Sequence, residues 1–176
     1  MVYSLSTAVR DEISLIVPRF WGNDARIDLE LLANHYNAEI LYVKFKDPEL
    51  HGAVQKLKDS MEYNYRIAIS QDISANRIRF TLAHEIGHII SDKLHSKSSE
   101  SFKEQALIKD TTQVLFRGGE SSPVEQEANE IAANLLMPAF IISQYKVKGQ
   151  LTNEELSAVL GVSNQALNIR CNNLGL

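Results

Sequence analysis

Residues 84–88 read His84-Glu85-Ile86-Gly87-His88 inside the apolar run Phe80-Thr81-Leu82-Ala83 and Ile89-Ile90. No other segment narrows what this chain can fold into as much. On a helix each residue advances by about 100°, so His84 and His88 lie only about 40° apart, one turn above each other. Two imidazoles stacked that way can occupy two tetrahedral corners of one metal ion. Glu85 then lies beside them, placed to take a proton from a water molecule rather than to bind the metal. The spacing therefore predicts the metal helix of a zinc-dependent peptidase.

The same five-residue pattern also arises by chance in amphipathic helices, with both histidines on the surface or satisfied in the core. Apolar flanks on both sides argue against idle surface histidines. Gly87 costs about 1 kcal/mol relative to Ala in a helix interior. A second chain segment crossing closely at that point justifies it, and a second ligand helix is such a segment.

Two histidines and a water leave one corner open, which calls for a further His, Asp or Glu. The metzincin pattern needs Gly at 91 and His at 94, but the chain has Ser91 and Leu94, with His95 out of register by one. The run from Pro123 to Pro138 is the better source. Pro123 suits a first helical turn, Pro138 marks the end, and Ala, Leu and Glu fill the interior. With Ala132 at zero on the wheel, Ala128, Asn129, Leu135 and Leu136 fall within about 60°, and Glu125 at about 20°. A carboxylate in the middle of an apolar face is expensive unless it meets a cation or a metal. Glu125 is the predicted third ligand, with helix capping as the plainer alternative. Glu127 falls about 140° away, beside Glu130 and Asn134, and is predicted to be solvated. Asn129, one turn after Glu125, can supply the oxygen that receives a ligand histidine's second ring N–H, or be a plain surface amide.

Elsewhere, Leu5, Val9, Ile13 and Ile16 predict a first helix ending before Pro18. Asn23-Asp24 can cap a second helix with Ile27, Leu31, Leu32 and Tyr36 on its inner face. Residues 39–46 and 65–70 read as strands, joined by a polar connection from Asp47 to Lys58. The polar stretch from Ser91 to Pro123, with a short helix near Phe102–Ile108, is placed to be a lid or a substrate-binding segment. Tyr63, Tyr65, His51 and Tyr145 are open candidates for stabilising an oxyanion.

The segments Arg77–His88 and Glu125–Pro138 together resemble the ImmA/IrrE-type metallopeptidases of bacteria, phages and mobile elements, a resemblance running over about residues 25–140 with a looser match to the C-terminus. Asp92 departs from a histidine that often follows the motif, and Ile131 from a more usual aromatic. The resemblance implies an α+β, zincin-like fold, in which a small twisted sheet packs on the His-Glu-x-x-His helix and a second ligand helix. It implies zinc, or another divalent ion, held by His84, His88 and Glu125, with Glu85 as general base. It also implies a cytoplasmic enzyme making limited cuts in a helix-turn-helix repressor of a phage, mobile element or stress regulon. In zincins the strand beside the metal helix is a sheet edge that receives substrate by backbone pairing. Tyr65, Arg66, Ile67, Ala68 and Ile69 are expected in that part, an ordinary internal strand being the alternative.

At 176 residues and 44% hydrophobic composition the chain can bury one core and a small appendage. The expected division is a peptidase domain over 1–145 and a helical segment over 146–176. Net charge of −4 argues against a dedicated nucleic-acid or anionic-membrane binder. The single Cys171 fits a reducing compartment, and neither a signal peptide nor a membrane span is read. Residues 151–170 have helix-turn-helix grammar: Gly161 for the turn, Ser163 as a cap, and Asn164, Gln165 and Asn168 able to reach base edges. Yet residues 146–176 carry only Lys146, Lys148 and Arg170 against Glu154 and Glu155. So few cations favour a structural or repressor-docking role over DNA binding. Two rival functions stay open: a non-catalytic, metal-stabilised module that binds a repressor, and a DNA-binding regulator.

Overall fold

The computed structural model describes residues 4–57, 60–95, 122–147, 149 and 151–176. Among them the chain is α+β. In order it forms α1 (Thr7–Phe20), α2 (Leu29–His35), β1 (Ala38–Val43), β2 (Gly52–Lys56), β3 (Tyr65–Ser70), α3 (Ala75–His95) and α4 (Pro123–Leu136). Then come α5 (Ala139–Val147), α6 (Asn153–Leu160) and α7 (Asn164–Leu174).

Ser6 caps α1, which buries Val9, Ile13, Ile16 and Val17. The helix runs through Pro18 instead of stopping before it. A proline that close to the C-terminus deletes a single backbone bond, and Phe20 still packs against the core. The second helix starts later than expected, because Asp24 is spent in a turn, where its Oδ1 accepts from Arg26 N. Asp28 is the actual cap, accepting from Leu31 N at 2.9 Å. Ile27 is buried ahead of the helix, and Leu31 faces solvent.

The sheet has the order β1-β3-β2, with β1 parallel and β2 antiparallel to β3. Strand β3 is where its alternation predicts, with Tyr65, Ile67 and Ile69 buried. Strand β1 stops at Val43, short of the expected 46. Strand β2 lies within the stretch read as a polar connection. Its five residues hold one aliphatic side chain larger than Ala, and pairing with β3 supplies what local pattern does not.

The order corrects one functional expectation. Tyr65, Arg66, Ile67, Ala68 and Ile69 are paired on both sides, so β3 has no edge to offer a substrate. The free edges among the described strands are β1 and β2, and β2 is the one packed on α3.

One hydrophobic cluster runs from Leu5 in front of α1 to Cys171 in α7, with α3 lying between the sheet and α4. At the α3–α4 crossing a Cβ on Gly87 would stand 2.9 Å from the Ala128 carbonyl oxygen and 3.1 Å from its Cα. The glycine is therefore the condition for the two helices to approach. Helix α3 continues past Ser91 to His95. The expected lid and the short helix near Phe102–Ile108 lie outside the described residues. No helix among the described residues is long and apolar enough to cross a membrane.

Candidate metal centre

Three elements build the site. Helix α3 presents His84 and His88 one turn apart, their rings nearly perpendicular at 4.7 Å and their Nε2 atoms 3.0 Å from each other. Ser122 caps α4, and its Oγ accepts from the backbone N–H of Glu125, which fixes the first turn. From that turn Glu125 extends Oε2 to 3.2 Å from His84 Nε2 and Oε1 to 2.9 Å from His88 Nε2. One ligand atom from each residue lies within 4.8 Å of the other two. Glu125 Oε1, though close to His88, has no hydrogen-bond partner and is buried. An orphaned carboxylate oxygen facing two imidazole nitrogens is a costly arrangement that a divalent cation completes. The donor set of two nitrogens and a carboxylate fits the metal that the motif calls for.

The electrostatics of the group agree. Burial pushes the Glu125 carboxyl up, but contacts from His84 and His88 outweigh it and bring the group down to about 2. Burial lowers the His84 ring, yet the Glu125 hydrogen bond and the charges of Glu85 and Glu125 carry it above its usual value. His84 Nδ1 lies 3.0 Å from Asn129 Oδ1. An amide oxygen only accepts, so Nδ1 carries a proton toward Asn129, which leaves Nε2 as the ring atom turned to the ligand group. Phe80 stacks on the outer side of the His84 ring.

Glu85 is buried beneath β2 rather than among the ligands. A Cβ on Gly52 would meet its Oε1 at 2.9 Å and Thr81 Cγ2 at 2.3 Å, so the strand reaches the carboxylate only because residue 52 is glycine. Burial holds the Glu85 carboxyl above its ordinary range; His88 and His84 oppose that shift and Glu125 reinforces it. Gly52 was not singled out from sequence, although a lone glycine in a strand is a known sign of close approach. Val54 and Lys56, from the same face of β2, share with His88 a cavity of about 20 Å³. The free edge of the sheet thus borders the ligands.

Glu127 departs from expectation: it is buried, not solvated. Ser91 Oγ donates to its Oε2 at 2.7 Å, and His95 Nε2 lies 3.1 Å from the same oxygen. The buried arc of α4 is wider than the sequence wheel assumed and is centred near Ala128. It runs from Glu127 at about −100° to Leu136 at about 80°. Asp92 Oδ2 receives Lys56 Nζ at 2.6 Å and the Tyr65 hydroxyl at 2.7 Å, tying the end of β2 to α3. Of the oxyanion candidates, Tyr65 is spent on Asp92, and His51 Nδ1 lies 3.0 Å from the Arg77 guanidinium. Tyr145 packs against the core, and Tyr63 is half-buried.

Residues 33–172 match the model of a peptidase family described as the IrrE N-terminal-like domain. The chain is also 26% identical over 113 residues to a protein of Bacillus phage phi105 named uncharacterized immunity region protein 2. That alignment covers 64% of this chain and 63% of the phage protein, so less than two thirds of the relative's length is spanned.

Proposed function

The chain belongs to the IrrE N-terminal-like peptidase family, and from that premise we propose that it is a zinc-dependent endopeptidase making limited cuts in a transcriptional regulator. The regulator is a helix-turn-helix repressor of a phage or mobile element, a reading supported by the immunity-region name of its phage relative. Such a substrate places the enzyme's work in the cytoplasm.

The observation that carries the proposal is the convergence of His84, His88 and Glu125 around a buried carboxylate oxygen with no hydrogen-bond partner, beside a buried Glu85. A bound zinc ion supplies Lewis acidity to the scissile carbonyl and to the attacking water. Glu85 takes that water's proton on its carboxylate and passes it to the nitrogen of the leaving amine. Its burial under β2 suits a group that must hold a proton between the two transfers. His84, His88 and Glu125 would hold the metal, and Asn129, 3.0 Å from His84 Nδ1, would orient that ring. The substrate chain lies along the free edge of β2, Gly52–Lys56, whose backbone grips it whatever its side chains.

The test compares newly formed protein N-termini in cells expressing wild type or Glu85→Gln. The variant should keep fold and metal while losing cleavage by at least about 100-fold, the usual reach of acid–base catalysis. Cuts confined to wild type and to one transcriptional regulator support the proposal. Equal cleavage by the variant removes Glu85 from the mechanism. No cleavage by folded, zinc-loaded wild type favours the non-catalytic docking module.

A further inference from the structure

The C-terminal helices have no part in the chemistry described so far, yet they touch both helices that carry ligands. Arg170 in α7 is buried, and each of its three guanidinium nitrogens donates to α4 or to its C-cap. Nη1 donates to Glu130 Oε1 at 2.7 Å, Nη2 to Asn134 Oδ1 at 2.8 Å and Nε to the Met137 carbonyl at 3.3 Å. Asn134 Nδ2 in turn donates to Glu130 Oε1 at 2.9 Å, so the acceptors are themselves locked together. Glu130 and Asn134 lie about 140° and 180° round the helix from Glu125. Arg170 therefore grips the back of the helix whose front supplies the third ligand.

A second contact reaches α3. Arg26 Nε and Nη2 donate to the Val159 and Ala158 carbonyls at the end of α6, both at 2.7 Å. A Cβ on the next turn residue, Gly161, would stand 3.2 Å from Arg26 Nε and 3.3 Å from Arg79 Cδ. Arg79 belongs to α3, five residues before His84, and its Nη2 donates to the Ile27 carbonyl at 3.0 Å. The turn between α6 and α7 thus lies against the Arg79 side chain, which projects from the N-terminal half of α3.

We propose that α6 and α7 are a built-in brace which sets the rotation and spacing of the two ligand helices, with Arg170 as its positioning residue. The inference rests on the metal-centre reading above. A buried ion pair is a weak source of stability, since apolar residues of similar volume often do as well or better. What a rigid guanidinium fork adds is geometry: three acceptors on one helix and its C-cap fix its rotation as a single ion pair or an apolar contact does not. The alternative use of this segment, reading DNA, fails on charge. Arg170 is the single Lys or Arg in residues 151–176 and is buried, while Glu154 and Glu155 face solvent. Asn168 is held by Asn153 and Asn164 rather than presented free. Residues 151–176 themselves offer phosphates no exposed cation.

The test measures zinc affinity by competition with a chromophoric chelator, together with the thermal midpoint of the metal-free protein. Wild type, Arg170→Met, Arg170→Lys and Leu167→Ala are compared. Leu167 is a fully buried α7 residue outside the Arg170 network, so Leu167→Ala controls for lost stability alone. Arg170→Met should weaken zinc binding about 10-fold, in line with the loss of an outer-sphere support. Arg170→Lys should fall between it and wild type, and Leu167→Ala should stay within about 2-fold at an equal or larger loss of midpoint. The cobalt spectrum of Arg170→Met should shift, while that of Leu167→Ala should match wild type. Zinc affinity of folded Arg170→Met equal to wild type overturns the brace, as does an equal loss in Leu167→Ala. If Arg170→Met does not fold, unchanged affinity in Arg170→Lys decides against it. Wild type that binds no zinc removes the metal centre itself, and the brace with it.

Discussion

Helices α3 and α4 meet at two polar junctions barely two turns apart, and their difference separates a candidate metal site from a structural contact. At the first, His84 and His88 face Glu125, and a buried carboxylate oxygen is left without a hydrogen bond. At the second, Ser91 and His95 face Glu127, and the buried carboxylate receives a hydroxyl donor at 2.7 Å with a ring nitrogen beside it. Both place a glutamate of α4 against a histidine of α3. The second is complete by itself. The first leaves an acceptor orphaned at the point where two imidazole nitrogens converge, an arrangement whose cost a bound cation would offset.

Removing each glutamate sharpens the contrast. Glu125→Ala should weaken zinc binding by more than about 100-fold, beyond the range seen on losing outer-sphere supports. Zinc at about 100 times its dissociation constant adds about 2.7 kcal/mol to wild type, a rise of roughly 5–10 °C in midpoint for a chain of this size. In Glu125→Ala that rise should vanish. A retained zinc shift would move the third ligand elsewhere. Glu127→Ala should behave in the opposite way. The buried Ser91 hydroxyl loses its acceptor, at about 1–3 kcal/mol, so the metal-free midpoint falls by about 2–4 °C per kcal/mol while the zinc-induced rise persists. Differential scanning calorimetry with and without zinc reads both variants, and exchanged behaviours would reverse the assignment of the two junctions.

The same contrast marks how far the sequence was legible. His84, Glu85, His88 and Glu125 were visible because each breaks a local rule: histidines and carboxylates set in apolar helical faces need partners. Gly87 was visible for a related reason, as a helix-weakening residue that a close crossing at Ala128 explains. Glu127 was misread because a wheel drawn from apolar residues alone undercounts an arc whose border is buried through Ser91 and His95, partners more than thirty positions away. Strand β2 escaped for the same reason. Its stability comes from pairing with β3, and once β2 is present β3 becomes the central strand. The sheet edge beside the candidate metal centre is therefore residues 52–56 rather than the expected 65–70. In both cases the missing information is non-local contact, which residue periodicity does not carry.

The smallest expected effect concerns Asn129, which belongs to the open junction without touching its centre. Its Oδ1 holds His84 Nδ1, but the residue is exposed, so water can replace the amide in part. Asn129→Ala should cost about 10-fold in zinc affinity, the low end for an outer-sphere partner, with little change in the metal-free midpoint. Asn129→Asp sharpens the point, because a carboxylate at that position accepts the same N–H more strongly and raises the basicity of Nε2. Affinity should therefore rise from Ala to wild type and be at least as high in the Asp variant. A flat series across the three proteins would leave Asn129 as a surface amide and assign the orientation of His84 to Phe80 stacking and Glu125 alone.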